Sequence, residues 1–497
     1  MEKLTIYYDP RETLLINEEA FDGKLLNSTI EEGKATLEFD QLTTVRPNAF
    51  LIKEKGEPMP IGKVILPDSV TEIWADSFYA CSNIESKFMT PEKMFISNGE
   101  LRAYLDCTFS GDVTIPEGVT EISYRVFQSC FLKKVIFPST LKRIGNRAFD
   151  FCRDLTSVKL PKGLLSIGDY CFARTSLGTA TIPDTVTSVG ESAFADCEKL
   201  KKIKFGKNVE TIGKRVLAET PKLASIEGKF ATADKRALIV DGCLLAYAGG
   251  DKNEEYTVPE DVTRIEDYAF SHSGKLVRIT LPSGLESIGE YAFYHTAIEE
   301  LNIPDSVTEL APGAFAASGI TKFSGKFASA DNLYLAKDGV LIQMASVRGY
   351  GKQKITFEVP ADIVEIGYRA FFGNELVENI VWHTGIKRIA SKAFQSCRIK
   401  FGPELPAGLE EIDDHAFYTK WTTQFRDGVI FPASVKKIGP YFGLPSSIWF
   451  EPTVPPEWNV DKHEYENIGT IYVPAESLEA YKEAYSMFAD KITIWER

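Results

Sequence analysis

Residues Ile115–Leu160 read IPEGVTEISYRVFQSCFLKKVIFPSTLKRIGNRAFDFCRDLTSVKL, and twice in this stretch a proline is followed eleven residues later by phenylalanine: Pro116/Phe127 and Pro138/Phe149. The same pairing recurs at Pro161/Phe172, Pro183/Phe194, Pro259/Phe270, Pro282/Phe293, Pro304/Phe315, Pro360/Phe371 and Pro406/Phe417, mostly 22 to 23 residues apart. A period of this size predicts a solenoid, because each copy is one coil that has to stack on its neighbours to bury its apolar face.

Offsets from the proline show how a coil is built. Apolar residues sit at +3 and +6 (Val119 and Ile122, Leu141 and Ile144, Val186 and Val189), and glycine often follows at +7 (Gly145, Gly168, Gly190, Gly289). A small apolar residue precedes the phenylalanine, as at Ala148, Ala193, Ala269, Ala292 and Ala314. An LxxLxL triplet then closes the coil, for example Leu155/Val158/Leu160 and Leu276/Ile279/Leu281, and its last two positions alternate as a half-buried strand does. Proline suits the exit of that strand because it lacks an amide donor and presets a turn. The expected fold is a repeat solenoid, mainly β with short irregular or 3-10/helical returns, and with the phenylalanines stacked inside.

Imperfect copies extend the register to some fourteen coils. Pro67/Phe78 fits, Gly206/Leu217 and His383/Phe394 keep the spacing with a substituted anchor, and Pro432/Phe442 is one residue short. Phe39, Leu42, Val45 and Phe50 keep the offsets without the proline. The expected organisation is an N-terminal cap over 1–38, a solenoid over 39–443 and a C-terminal cap over 444–497, forming one elongated body.

Three proline intervals are too long, and each holds a related insert: IESKFMTPEKMFISNGELRAYLDC from Ile84, IEGKFATADKRALIVDGCLLAYAG from Ile226 and FSGKFASADNLYLAKDGVLIQMAS from Phe323. Asn98-Gly99, Asp241-Gly242 and Asp338-Gly339 tolerate the positive φ angles of a type I′ turn, which predicts β-hairpins near 84–112, 226–256 and 323–357. Packing on the solenoid edge to complete an enlarged coil is the favoured role. Fingers that contact a partner are the alternative.

These segments, with IPDTVTSVGESAFADCEKLKKIKF, resemble the BspA-like leucine-rich repeats of bacterial proteins, and TVPPEW followed by IYVPAESLEAYKEAY is similar to a closing segment of that family. The resemblance spans roughly Phe39 to Arg497. It implies a leucine-rich-repeat right-handed superhelix with three hairpin inserts and terminal caps. It also implies a cell-surface or secreted protein of the adhesin or antigen kind, directed at host or matrix proteins. The asparagine ladder of commoner leucine-rich repeats is missing. MEKLTIYYDPRETLLINEE has neither the basic nor the apolar stretch of an export leader, so a cytoplasmic scaffold stays open if Met1 is the native start. No run of about 20 apolar residues is present to span a membrane, and a monomer is expected.

Five cysteines, Cys81, Cys130, Cys152, Cys197 and Cys397, share the +14 slot, and Cys171 replaces the small residue before Phe172. A buried structural slot therefore accounts for six of the eight without disulfides or metal. The formal charge of −14 argues against general nucleic-acid binding. Between Cys130 and Val216, however, sixteen Lys/Arg face eight Asp/Glu, a local +8 against −22 elsewhere. The candidate partner-binding residues are Lys134, Lys159, Lys201, Lys202 and Lys204 from this stretch, together with Thr181, Thr257 and Thr280. Lys159, Lys204 and the three threonines lie two residues before a coil anchor and are expected to point away from the core. Gathered by stacking, these cations suit an acidic protein or a polyanionic glycan; a solvated basic stretch that keeps the rod soluble is the favoured reading.

No GxGxxG, Walker A, GxSxG or HExxH arrangement is present, so no catalytic, cofactor or metal residues are assigned. His272 and His295 share the +13 slot and are expected to stack without a third ligand.

Overall fold

The computed structural model describes the chain except residues 53–57, 59, 75, 76, 78–80, 82, 250–253, 347–353, 419–424, 426, 427, 442–446, 459–467, 496 and 497. Phe78 and Phe442, two of the degenerate anchors, lie outside the described residues. The fold is a β-solenoid of about 17 turns with very little helix. Parallel pairing continues past residue 443, from Val429–Phe431 to Ser447–Phe450, Thr470–Val473 and Ile492–Ile494. Contacts divide the chain into two compact units, Met1–Val240 with Leu245–Gly250, and Asp241–Leu244 with Asp251–Arg497.

In the first unit the strands before the prolines form parallel ladders, such as Asp112–Thr114 with Lys134–Ile136 and Thr179–Thr181 with Lys202–Phe205. After the strand, the proline carbonyl accepts the amide three residues on, as in Leu164 to Pro161 at 3.1 Å, which closes the turn. A second, two-residue ladder follows at +5 and +6, running Glu121–Ile122, Arg143–Ile144, Ser166–Ile167, Ser188–Val189 and Thr211–Ile212. The apolar +6 side chain points inward in each.

The return holding the phenylalanine is irregular rather than helical. Position +9 has positive φ in coil after coil (Arg125, Arg147, Tyr170, Ser192, Arg215), and so does +13 (Ser129, Phe151, Arg174, Asp196, Glu219). Left-handed backbone costs a non-glycine residue roughly 1–2 kcal/mol. Here it aims alternate amides at the next coil: Arg125 to Asn146 O at 3.1 Å, Phe127 to Ala148 O at 2.8 Å and Ser129 to Asp150 O at 2.8 Å. Three inter-coil hydrogen bonds per return offset that strain. The +7 glycine is a packing requirement, since a Cβ on Gly168 would lie 2.6 Å from the Asn146 backbone nitrogen.

Phenylalanine stacking follows directly. In the first unit ring centroids are 5.0 Å apart for Phe127/Phe149, 5.3 Å for Phe149/Phe172 and 5.5 Å for Phe172/Phe194, all nearly parallel. All four rings are fully buried. Full burial of such a side chain contributes about 1.5–3 kcal/mol. The second unit repeats the stack at Phe270/Phe293/Phe315 and Phe371/Phe394/Phe417.

All three inserts are antiparallel hairpins turning on Asn98-Gly99, Asp241-Gly242 and Asp338-Gly339, each pair at positive φ. Their second arms enter the parallel +5/+6 ladder, with Leu101 beside Ile122, Leu244 beside Ile265 and Leu341 beside Ile366. Each hairpin is thus a shortened coil. At the N-terminus, antiparallel strands Glu2–Tyr8, Leu25–Glu31 and Lys34–Phe39 pack Phe21 and Phe39 into the core beside Phe50. At the other end helix Leu478–Ala484 supplies Tyr481, whose hydroxyl donates to Pro452 O at 2.9 Å.

The expectation that structural burial accounts for the repeat cysteines without disulfides needs correction at one site. Cys107, in the first insert, is bonded to Cys130. Their sequence separation of 23 equals one repeat period, but Cys107 belongs to an insert, which the proline–phenylalanine register does not place. The other six cysteines are free and buried, and burial pushes the Cys152 thiol up to about 12.

Candidate binding surfaces

Lys134 stands on the first unit's sheet between Asp112 and Ser157, and Lys202 between Thr179 and Ser225. Thr181 faces Lys204, which in turn faces Glu227. All these lysines, with Lys159, Lys201 and Thr181, are exposed. The sheet gathers Thr181, Lys201, Lys202 and Lys204. Lys134 belongs to a different hydrogen-bonded sheet, and Thr257 and Thr280 pair with each other in the second unit, both exposed.

Not all of these cations are equally available. Glu227 holds Lys235 at 2.8 Å and Lys202 at 2.9 Å, and together they pull its carboxyl down to about 2. Lys134, Lys159, Lys201 and Lys204 make no ion pair among the described residues. Several other basic residues of the stretch are structural. Asp150, fully buried, accepts from Arg174 at 2.7 to 2.9 Å, from Gln128 at 3.1 Å and from Arg147 at 3.4 Å. Arg143 is held by Glu121 on the second ladder.

Sequence reasoning missed a cleft in the second unit. Its third hairpin runs from Leu341 to Met344 without the left-handed return, and Met344 N donates directly to Ala370 O at 2.9 Å. Among the described residues, one rung of the return ladder is therefore absent between Gly313 and Tyr368. The gap measures about 640 Å³, lined by Leu310, Pro312, Gly313, Ile342, Tyr368 and Arg388 among others. Arg388 binds Glu365 at 3.0 Å and Asp413 at 2.6 Å. Burial opposes its charge, but these carboxylates outweigh it and raise its pKa. The available signal was the long Pro304–Pro360 interval together with glycine at a slot where the two preceding coils carry Tyr268 and Tyr291.

His272 and His295 stack at 5.1 Å, as their shared slot predicts, in contact with the Tyr294 ring. Among the described residues no group of three His, Cys, Asp or Glu is arranged to hold a metal ion, and no helix is long and apolar enough to cross a membrane.

The periodic ladders coincide with a family description. The model of the BspA type leucine-rich repeat region (six copies) matches residues 16–150, 120–235, 246–329 and 350–442. The chain belongs to that family. This BspA type repeat protein is similar to a leucine-rich repeat protein from Eubacterium ventriosum, at 21% identity over 70% of this chain and 88% of that one, with a TM-score of 0.45. It is also similar to a leucine rich cell surface protein from Faecalibacterium prausnitzii, at 20% identity over 74% and 93% of the two chains, with a TM-score of 0.37. The pneumococcal vaccine antigen PcpA aligns at 17% identity over 82% and 98%, with a TM-score of 0.33. No curated protein matches the chain.

Proposed function

We propose that the chain is a non-catalytic protein-binding module displayed outside the cell, whose first unit takes an acidic protein surface on its sheet face. The observation carrying this reading is the set of exposed lysines Lys134, Lys159, Lys201 and Lys204, without an ion pair among the described residues, on or beside the strands of two short parallel sheets of the first unit. Fixed cations of this kind steer an acidic partner and set the register of docking. The Cys107–Cys130 bond supports placement outside the cell, since disulfides persist in oxidising compartments. It weighs against the alternative of an intracellular scaffold.

The test replaces Lys134, Lys159 and Lys204 with glutamate together and measures binding to a panel of immobilised matrix proteins, with heparin as the glycan arm. The triple variant is expected to bind the protein partner at least about tenfold more weakly, with a reduced salt dependence. Unchanged binding to a partner of the parent chain would sink the reading. A loss confined to heparin would transfer the surface to a glycan.

A further inference from the structure

The same insertion that shortens a coil also leaves a strand unpaired. In the first unit the sheet order begins at Asp112–Thr114, which pairs on one side with Lys134–Ile136 and, among the described residues, has no strand on the other. On the paired side, Lys133 N donates to Gly111 O at 2.9 Å and Ile115 N to Ile136 O at 3.0 Å. Backbone groups alternate sides along a strand. The amides and carbonyls of Asp112 and Thr114 therefore face the open edge, where they have no partner among the described residues.

That edge borders a cleft of about 560 Å³, within the roughly 300–1,000 Å³ range of ligand sites. The cleft is also lined by Pro91, Glu92 and Lys93 of the insert turn and by Met94, Tyr104 and Phe109. Met94 and Tyr104 are buried, whereas Phe109 is 43% exposed. The segment carrying Phe109 is tied to the solenoid by the Cys107–Cys130 bond and by Phe131 N donating to Cys107 O at 3.1 Å. Three carboxylates, Glu92, Asp106 and Asp112, line the cleft against the single cation Lys93.

We propose that Asp112–Thr114 accepts an extended segment of a partner protein as an added strand, with an apolar side chain turned in towards Phe109 and Tyr104 and basic side chains beside Glu92 and Asp112. Added strands gain affinity from main-chain hydrogen bonds and selectivity from the pockets of alternate side chains. Val113 points to the core and Asp112 and Thr114 to solvent. The residue opposite Val113 must therefore be the apolar one, and its neighbours the basic ones. The proposal shares the reading of the chain as a protein-binding module. It rests on a different set of residues, so replacing Lys134, Lys159 and Lys204 leaves the backbone edge intact.

The probe is an end-blocked octapeptide alternating lysine and valine, titrated into the full chain. Binding below about 1 mM is expected, with slowed hydrogen exchange at the Asp112 and Thr114 amides. Thr114→Pro removes a donor that the sheet does not use, at an edge position that tolerates proline. It is expected to keep the unfolding midpoint and weaken binding about tenfold. Asp112→Lys is expected to weaken it through charge, and a peptide N-methylated on its pairing edge to lose binding. No binding, equal binding by the N-methylated peptide, or protection away from Asp112 and Thr114 would each overturn the proposal. So would a concentration-dependent dimer protected at the same two amides, which would assign the edge to a second copy of the chain.

Discussion

The hydroxyl of Tyr291 reaches across Gly313 to lie 2.5 Å from the hydroxyl of Tyr368, joining coils that are not consecutive. Burial, then the hydrogen bond with Tyr368, push the Tyr291 hydroxyl far above its usual range. The bridge exists because the intervening coil carries no side chain at +9. A Cβ on Gly313 would lie 3.1 Å from one Tyr291 ring carbon and 3.4 Å from one in Tyr368. Gly313→Ala should therefore cost about 1–2 kcal/mol, combining left-handed strain with crowding. Gly284→Ala, where a Cβ meets nothing within 4 Å, is the control and should be near neutral. Chemical denaturation of the two variants makes the comparison, and equal stabilities would show that the tyrosines yield freely.

Phe149 sits between Phe127 and Phe172 with both centroid distances under 5.5 Å. Phe149→Ala should cost roughly 3–5 kcal/mol through cavity formation. Because each coil contacts mainly its neighbours, hydrogen exchange should accelerate first around Phe127 and Phe172. Uniform acceleration throughout the first unit would contradict nearest-neighbour coupling.

Arg174 is the principal counter-charge of fully buried Asp150. Arg174→Ala should destabilise by about 3 kcal/mol, since it strands a buried carboxylate. Adding Asp150→Asn should recover part of that loss. Thermal unfolding of the single and double variants reads the difference. A double variant no more stable than Arg174→Ala would mean that packing of the arginine, rather than charge, dominates.

Glu227 titrates at about 2 because Lys235 and Lys202 stabilise its ionised form. A carboxylate with a depressed folded-state pKa adds stability above its unfolded-state value, and loses it as pH falls through the folded one. The link from Glu227 to both lysines should thus survive at pH values where ordinary glutamates are already protonated. Carboxyl NMR of Glu227 checks this, and Lys235→Ala should move the midpoint up. A midpoint in the ordinary glutamate range in the parent chain would refute the pairing.

Cys107 and Cys130 close a loop with a sequence separation of 23. Loop-closure entropy puts the loss on replacing both by alanine at roughly 3 kcal/mol. Denaturation of the variant beside the oxidised parent measures it, and equal stability would show that the hairpin contacts hold this segment unaided.

The repeat was legible because a solenoid places equivalent residues above one another, so that one rule of spacing is enforced at every coil. Pro116/Phe127 and its copies announced the turn, the inward ring and the strand. Asn98-Gly99 and its counterparts announced the hairpins. The outward direction of Lys159, Thr181, Lys204, Thr257 and Thr280 followed from the same alternation, and all five are exposed. The ionic state of Lys202 was not legible, because Glu227 and Lys235 come from outside its coil. Nor were the left-handed positions at +9 and +13, which tyrosine, arginine, serine and histidine occupy alike.

The chain alone determined the period, the buried ladder and the places where the period breaks, since these depend on local spacing and apolar burial. Only the tertiary structure decided what the breaks leave behind. A hairpin that enters the second ladder but omits a return or a facing strand opens the Gly313–Tyr368 gap and the bare edge at Asp112–Thr114. Whether a backbone group is paired depends on what the neighbouring coil supplies, and that neighbour is many residues away in the chain.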